Sequence, residues 1–479
     1  MSNGPTFTMK IPPAPSRRIP LPVAIQLAIQ LGVPLGFALS AAPSLAAPGA
    51  AASKAEVSAR SAVQRPDEWN YVVAPRDTLI GLVTRLMKPT ADWQKLQQLN
   101  QFANPHRLAP GGIVRIPVDW LRSDATIATV ELAQGAVSVR RGSNRLGSIV
   151  TGTEVLPGDK IETGVQSTLT LRFVDTSRVV IAPQSKVLIE NLLVYGKSGI
   201  TETRLRIEEG GIDSAVKPMV NSASRYVVTT PVFNLGVRGT DFRARFDPAT
   251  NFAFNEVLTG AVATQGKQSE VRIGAGFGTL ALVNTEPKPP IRLLDAPLLQ
   301  GIAKAASQLP VALNWEPEAG ATAYRAQLFT DRSFQRQLVE GVFTQPQARW
   351  LNLPDGAYVV RVRSIDAEGL EGASTASDFV LKARPFAPFS RLPQNASSVT
   401  GNAVLLKWTE PPVARAYRLQ VSDTADFRAP RIDRSDLTAP ELALALPPGT
   451  YYWRVATIAA DADQGPFSDV QSIVLIPGP

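Results

Sequence analysis

The chain has 479 residues, of which 44% are apolar and 19% charged, and its 49 Lys and Arg against 41 Asp and Glu give a formal net charge of +8. Such a length accommodates three or four domains, while the charge excess is too dispersed to form a nucleic-acid-binding stripe with interleaved aromatics. There is no cysteine and His106 is the one histidine, which excludes a disulfide framework, a thiolate nucleophile or metal ligand, and any His-based triad that does not use His106.

At the N-terminus Arg17 and Arg18 precede an apolar run from Leu21 to Ala42, followed by Ser44, Leu45 and Ala46. This order reads as a secretory signal over residues 1–46 with cleavage after Ala46, and a cut after Ala42 is the alternative. A retained anchor is the rival reading, but Pro22, Pro34, Gln26 and Gln30 interrupt the run. Ser16 to Arg18 echo a twin-arginine signal, with Pro20 where that motif prefers an aromatic. Cleavage removes Lys10, Arg17 and Arg18 and no acid, lowering the net charge from +8 to +5. No later run is long and apolar enough to span a bilayer, so the expectation is an exported, periplasmic, wall-associated protein with no membrane span after cleavage. Residues 47–66, rich in Ala, Ser and Pro, read as a flexible tether.

Residues 67–120 follow with a strand, helix, helix, strand pattern. Tyr71 and Val73 alternate as a strand; Asp77 or Thr78 is placed to cap a helix carrying Leu79, Leu82, Val83 and Leu86; Pro89 ends it. Trp93, Leu96, Leu99 and Asn100 give a second helix, and Ile113, Val114 and Ile116 a second strand. Tyr71, Val73, Asp77, Thr78, Leu79, Leu96, Leu99, Asn100, Asn104, Pro105, Leu108, Pro110, Gly111, Ile116 and Pro117 stand at the spacing of a LysM domain, which this segment resembles. Arg76 departs from the family's usual Gly before Asp-Thr-Leu, and a positive φ there would be strained. The resemblance implies a glycan groove for the N-acetylglucosamine backbone of peptidoglycan, formed by Arg76, Asp77, Thr78, Leu79, Asn104, Pro105, His106, Arg107 and Leu108. Turn closure is the alternative role for the same residues.

From residue 125 to 291 short alternating apolar segments separated by Gly, Asp, Asn and Pro turns predict an all-β domain. Expected strands include Ala136 to Arg140, Leu169 to Phe173, Arg178 to Ile181, Lys186 to Leu193, Thr203 to Ile207, Tyr226 to Thr229, Asp241 to Phe246 and Asn255 to Leu258. The segments GAVSVRR, LPGDKIETG, EEGGIDSAV and TTPVFNLGVRGTDFRARF resemble a FecR-type domain, whose hallmark is supplied by Thr230, Pro231, Val237, Arg238, Gly239, Thr240 and Phe242. Locally, Gly239 permits a tight turn, Arg238 and Asp241 can pair across it, and Phe242 returns the chain to the core, which reads as structural; a functional surface formed by Arg238 and Asp241 is the alternative. Glu208 and Glu209 are adjacent and, in a regular strand, point to opposite faces.

The remainder repeats itself. Leu313, Trp315, Tyr324, Gln327, Phe334, Gly356, Tyr358 and Arg361 recur 93 residues later as Leu406, Trp408, Tyr417, Gln420, Phe427, Gly449, Tyr451 and Arg454, with Glu410 a mismatch for Pro317. Each copy, residues 305–384 and 394–477, resembles a fibronectin type III sandwich, with Trp315 and Trp408 as core residues. Trp350 and Trp453 are expected to pack inside rather than stack on sugars. Proline-rich linkers are expected at Glu286 to Pro290 and Ala383 to Pro393.

The fold class expected is therefore multidomain and mainly β: a small βααβ module, an all-β domain and two β-sandwiches. No cofactor, metal site or catalytic constellation is implied. The principal functional expectation is a non-enzymatic envelope protein that binds peptidoglycan through the LysM module and offers its β-domains to an envelope protein partner. Its alternatives are the periplasmic sensing component of a FecR-type signalling system and an accessory subunit of a cell-wall hydrolase.

Overall fold

A computed structural model describes residues 68–478, except 197, 220, 222, 302 and 303. The expected signal and tether lie outside the described residues. The architecture is mainly β, and strands build every part except one helical pair.

That pair belongs to the first module. Strand β1 (Glu68–Val72) and strand β2 (Ile113–Pro117) pair antiparallel, and helices α1 (Leu79–Leu86) and α2 (Trp93–Asn100) lie between them in sequence. Thr78 caps α1 by accepting the Gly81 N–H at 3.0 Å, and Asp92 caps α2 by accepting that of Gln94 at 2.8 Å. Asn100 ties α2 to β2: its amide oxygen accepts the Arg115 N–H at 2.7 Å and its amide nitrogen donates to the Arg115 carbonyl at 2.9 Å. A module this small has a thin core. Here the core is extended, because Leu79, Leu82, Leu96 and Ile116 pack in one cluster with Leu121 from the following segment and with Ile200 and Ala223 from the β-domain.

Strands from Asp124 to Arg292 close around one apolar core. The closure runs through the 15-residue strand Thr201–Ala215. Its first half pairs with Lys186–Val194 and Arg225–Thr229, and its second half with Arg178–Ile181 and Asp241–Asp247. The change of partners falls at Gly210, where φ is +76° and an added Cβ would lie 2.6 Å from the Ser185 Cα. Both the left-handed backbone and the close approach require glycine.

One expectation is corrected at the same place. The register slips so that Lys186 faces Glu209 and Val187 faces Ile207, leaving Glu208 as the extra residue of a bulge. The two carboxylates consequently turn to one outer surface, Glu208 reaching Lys160 at 3.4 Å and Glu209 reaching Lys186 at 2.5 Å. Lys160 and Lys186 share a face of the neighbouring paired strands, so Glu208 and Glu209 do not point apart.

Each remaining repeat is a two-layer sandwich. In the first, Leu299–Gln300, Val311–Trp315 and Gln347–Trp350 form one sheet, and Ala305–Ala306, Ala323–Phe329, Gln337–Phe343, Gly356–Ile365 and Glu371–Leu381 the other. The second repeats this plan. Trp315 meets Tyr324 edge-on at 5.4 Å and Trp408 meets Tyr417 at 5.5 Å. Tyr358 donates to the Pro354 carbonyl at 2.6 Å and Tyr451 to that of Pro447 at 2.9 Å, a corner bond that pins the chain entering the long central strand. Trp350 and Trp453 are buried, as expected.

Replacing Gly210 by Ala is expected to destabilise the protein by about 2 kcal/mol or more, since both backbone strain and a clash with the Ser185 backbone must be relieved. Denaturant unfolding followed by tryptophan fluorescence measures this; an unchanged midpoint would show that the strand does not depend on this bend.

Candidate functional site

The two loops expected to form the groove lie side by side, because the Leu79 N–H donates to the Pro105 carbonyl at 3.1 Å. Their side chains divide by role. The Asp77 carboxylate accepts the Tyr71 hydroxyl at 2.5 Å, the Ala74 N–H at 2.8 Å and Arg85 at 3.2 Å. Burial works to raise its pKa, but these partners together hold it below the usual aspartate value. Burial and the bond to Asp77 conversely raise the Tyr71 phenol. Asp77 and the capping Thr78 thus shape the loop, Leu79 is wholly buried in the core, and Pro105 and Leu108 are half-buried. The outward-facing residues are Arg76, Asn104, His106 and Arg107. Arg76 does adopt the left-handed backbone, with φ of +72°. Asn104 accepts the His106 N–H at 2.9 Å, which fixes the second loop as a turn. Ile80, 39% exposed beside this edge, was not anticipated; its place on the outer side of α1 is visible only once the cap is known.

In the β-domain the anticipated turn is built as scaffold. Gly239 has φ of +78°, and a Cβ there would meet the Pro218 Cα at 2.6 Å. Thr240 is buried and donates to the Ala261 carbonyl at 3.0 Å, the Asp241 N–H donates to Thr259 at 3.0 Å, and Phe242 stands edge-on to Tyr226 in the core. Thr230 accepts the Phe233 N–H at 3.0 Å beside the exposed Pro231, and Arg238 is exposed. In the LPGDK segment the wholly buried Asp159 takes two bonds from Arg141, both 2.8 Å, and the Leu156 N–H at 2.8 Å.

The most elaborate polar constellation joins the β-domain to the first sandwich. Asp213, on the second half of the long strand, receives Arg363 at 3.0 Å and Arg361 at 3.3 Å from the sandwich. Glu371 receives Arg325 at 2.7 Å and Arg363 at 2.8 Å from its own sandwich, and Arg245 at 3.4 Å from the β-domain. Arg243 donates to the carbonyls of Glu371 and Gly372, while Glu256 takes Arg245 at 3.2 Å and the Glu371 N–H at 3.1 Å. Arg243, Glu256, Arg363 and Glu371 are each at most 4% exposed. Burial pushes the Glu371 carboxyl up, but Arg325, Arg245, Arg363 and Arg243 outweigh it and hold the group well below the ordinary carboxylate range. For Asp213, too, burial is outweighed, by Arg363, Arg361 and Arg243. The arrangement fixes two domains against each other and places no nucleophile beside a base. Its sequence signal was present: Arg243 with Arg245, and Arg361 with Arg363, recur at a spacing of two in otherwise apolar strands, so each pair shares one face.

Replacing Glu371 by Ala leaves three arginine side chains without their shared anion and is expected to cost about 3–5 kcal/mol. Because the Glu371 and Asp213 carboxyls are depressed on folding, their stabilisation is present above the ordinary values of 4.5 and 3.8 and is lost as pH falls below them. Thermal melts from pH 7 to pH 3 should show a plateau and then a steep decline, shallower in Glu371→Ala; parallel curves for parent and variant would remove Glu371 from the acid response.

Comparison with known proteins assigns part of this architecture. The family model described as FecR protein matches residues 159–263, a span that contains Asp159, the long bent strand and the Gly239 turn. No curated protein matches the chain. Among solved structures, a candidate anti-sigma factor from Parabacteroides distasonis is similar at 16% identity and a TM-score of 0.24, covering 28% of this chain and 59% of that one. The chain therefore spans less than two thirds of that structure's length. The first three fibronectin domains of chicken CNTN1 are similar at 13% identity and a TM-score of 0.19, covering 56% of this chain and 95% of that one. Fibronectin(III)-like modules of Clostridium thermocellum CbhA are similar at 13% identity and a TM-score of 0.17, covering 38% and 94%. Residues 159–263 thus match the FecR family, and two β-sandwiches follow them in this chain.

Proposed function

We propose that this chain is the envelope-side component of a FecR-type signalling system, acting by protein contact and not by catalysis. The observation that carries the reading is the FecR match over residues 159–263. The family takes its name from a periplasmic sensor that relays iron-siderophore status to a sigma factor. That sensor carries a sigma-binding segment and a spanning helix ahead of its β-domain, where this chain carries the βααβ module. No helix among the described residues is long and apolar enough to cross a membrane. With the expected signal over residues 1–46 cleaved, a membrane partner would pass the signal inward, and the FecR domain with its docked sandwich would be the part that partner reads. Deleting the gene is expected to shift transcription of a sigma-factor-controlled promoter set, with a chain carrying Gly239→Glu failing to restore it. Transcript profiles identical with and without the gene, in iron-replete and iron-limited medium, would reject the signalling role.

A second reading adds anchoring to peptidoglycan, and its support is the juxtaposition of the two loops through the bond between Leu79 and Pro105. The glycan would lie against Arg76, Asn104, His106 and Arg107, with Asp77 and Thr78 holding the loop beneath it. The parent protein should sediment with purified insoluble peptidoglycan, and a chain with Arg76, Asn104 and Arg107 changed to Ala should bind at least about tenfold more weakly while melting normally. Equal sedimentation of the two, or of neither, makes the module a scaffold.

A further inference from the structure

The two sandwiches share more than a core. Arg325, Gln327, Glu340 and Arg361 of the first recur 93 residues later as Arg418, Gln420, Asp433 and Arg454. The hydrogen bonds recur with them. Arg361 donates to Gln327 at 3.0 Å and Arg454 to Gln420 at 2.9 Å. Gln327 donates to Glu340 at 2.8 Å and Gln420 to Asp433 at 2.9 Å. Arg325 pairs with Glu340 at 3.1 Å and Arg418 with Asp433 at 2.7 Å. Each outer arginine also lies over a phenylalanine at the same repeat position, Phe334 at 4.7 Å and Phe427 at 4.1 Å, both with left-handed backbones.

What differs is the covering. In the first sandwich this face is seated on the β-domain, and Arg361 meets Asp213 with its side chain only 12% exposed. In the second the face is more open: Arg418 is 35% exposed where its counterpart Arg325 is 23%, and four consecutive residues of the strand Ile432–Leu437 are exposed where the matching strand Gln337–Phe343 is mostly half-buried. Arg454, held between Phe427 and Phe467, pairs with no carboxylate among the described residues. The second face is also simpler, since Ala456 and Gln464 replace the buried Arg363 and Glu371. A fixed arginine flanked by aromatic rings, which forms no direct salt bridge because the nearby Asp433 is engaged by Arg418, is the kind of anchor that carries binding energy once covered.

We propose that the second sandwich docks a β-domain of another protein through this face, a carboxylate of that partner meeting Arg454 as Asp213 meets Arg361. The occupant is a sheet surface bearing an acid, because that is what covers the equivalent face within this chain. It belongs to another molecule, because this chain's own surface at Asp213 is already occupied by the first sandwich. The inference does not depend on signalling or on glycan binding.

The test uses full-length chains. As the probe, a labelled chain carrying Arg361→Glu and Arg363→Glu sets carboxylates against Asp213 and uncovers its own β-domain surface. Sedimentation velocity should show this probe binding the unlabelled parent, at least about tenfold more weakly when the parent carries Arg454→Glu. A probe carrying Asp213→Arg instead should prefer the Arg454→Glu chain. Absence of binding, or binding indifferent to Arg454, overturns the proposal. So does equal binding of a labelled parent chain, which would mean that a second copy docks through some other surface. If the charge reversals prevent the probe from folding, removing residues 299–391, one repeat length, sets the second sandwich directly after the β-domain. A single cooperative melt that Arg454→Glu splits in two then supports the proposal, and two separate transitions before that change overturn it.

Discussion

Glu371 is the residue on which the relation between the domains turns. It is buried, it sits at the start of a sandwich strand, and it collects arginines from both sides of the seam. Taking a carboxylate and several guanidinium groups out of water costs several kcal/mol for each ion, and only close mutual pairing offsets this. Such a seam therefore tolerates one arrangement and penalises every slipped one, because a shift that separates Glu371 from Arg245, or Asp213 from Arg363, leaves bare charge in an apolar setting. Apolar contact alone would be more permissive. Here Phe254, Leu280, Leu293 and Leu370 add a small apolar cluster beside the ions. The stretch expected as a semi-rigid linker is drawn into the same construction, with Glu286 holding Ser269 and the Lys288 N–H bonded to the Leu280 carbonyl.

A similar division between holding and presenting governs the first module. Asp77 is the anion that organises Tyr71, Arg85 and the Ala74 amide, and satisfying it consumes the carboxylate. What the module turns outward is backbone and the side chains of two loops, on a frame tied by Asn100 to β2. Loops positioned by a rigid frame are where recognition residues concentrate. The left-handed Arg76 is the strained point of that frame, and strain of this sort persists only where the surroundings impose it.

The repeat shows how a shared constellation acquires different surroundings. Both sandwiches keep the arginine, glutamine and phenylalanine triad, because each contact within it is local to two paired strands and the turn that follows one of them. The first copy adds Arg363 and Glu371, the residues that pay the cost of complete burial against the β-domain. The second has Ala456 and Gln464 there, which leaves its face polar and more exposed. The sandwiches are nonetheless joined end to end, with Lys382 meeting Asp463 at 2.7 Å and Thr457 donating to the Phe386 carbonyl at 2.7 Å.

Much of this was legible from residue order. Periodicity placed the two helices and eight of the strands of the β-domain, the 93-residue offset exposed the repeat, and Thr-Pro with Arg-Gly-Thr located the turn at Gly239, because each of these signals is local or strictly periodic. Adjacency of the two groove loops also followed from a recognisable local pattern. The bulge that turns Glu208 and Glu209 to one surface did not, since alternation along a strand says nothing about an extra residue set by its neighbour's register. Nor did the meeting of Asp213 with Arg361 and Arg363, nearly 150 residues apart in the chain. The sequence determined which residues are strands, turns and repeats; only the tertiary structure decided which of two similar polar faces is buried. Burial of a charge depends on whether another domain brings the opposite charge to it, and no local pattern carries that information.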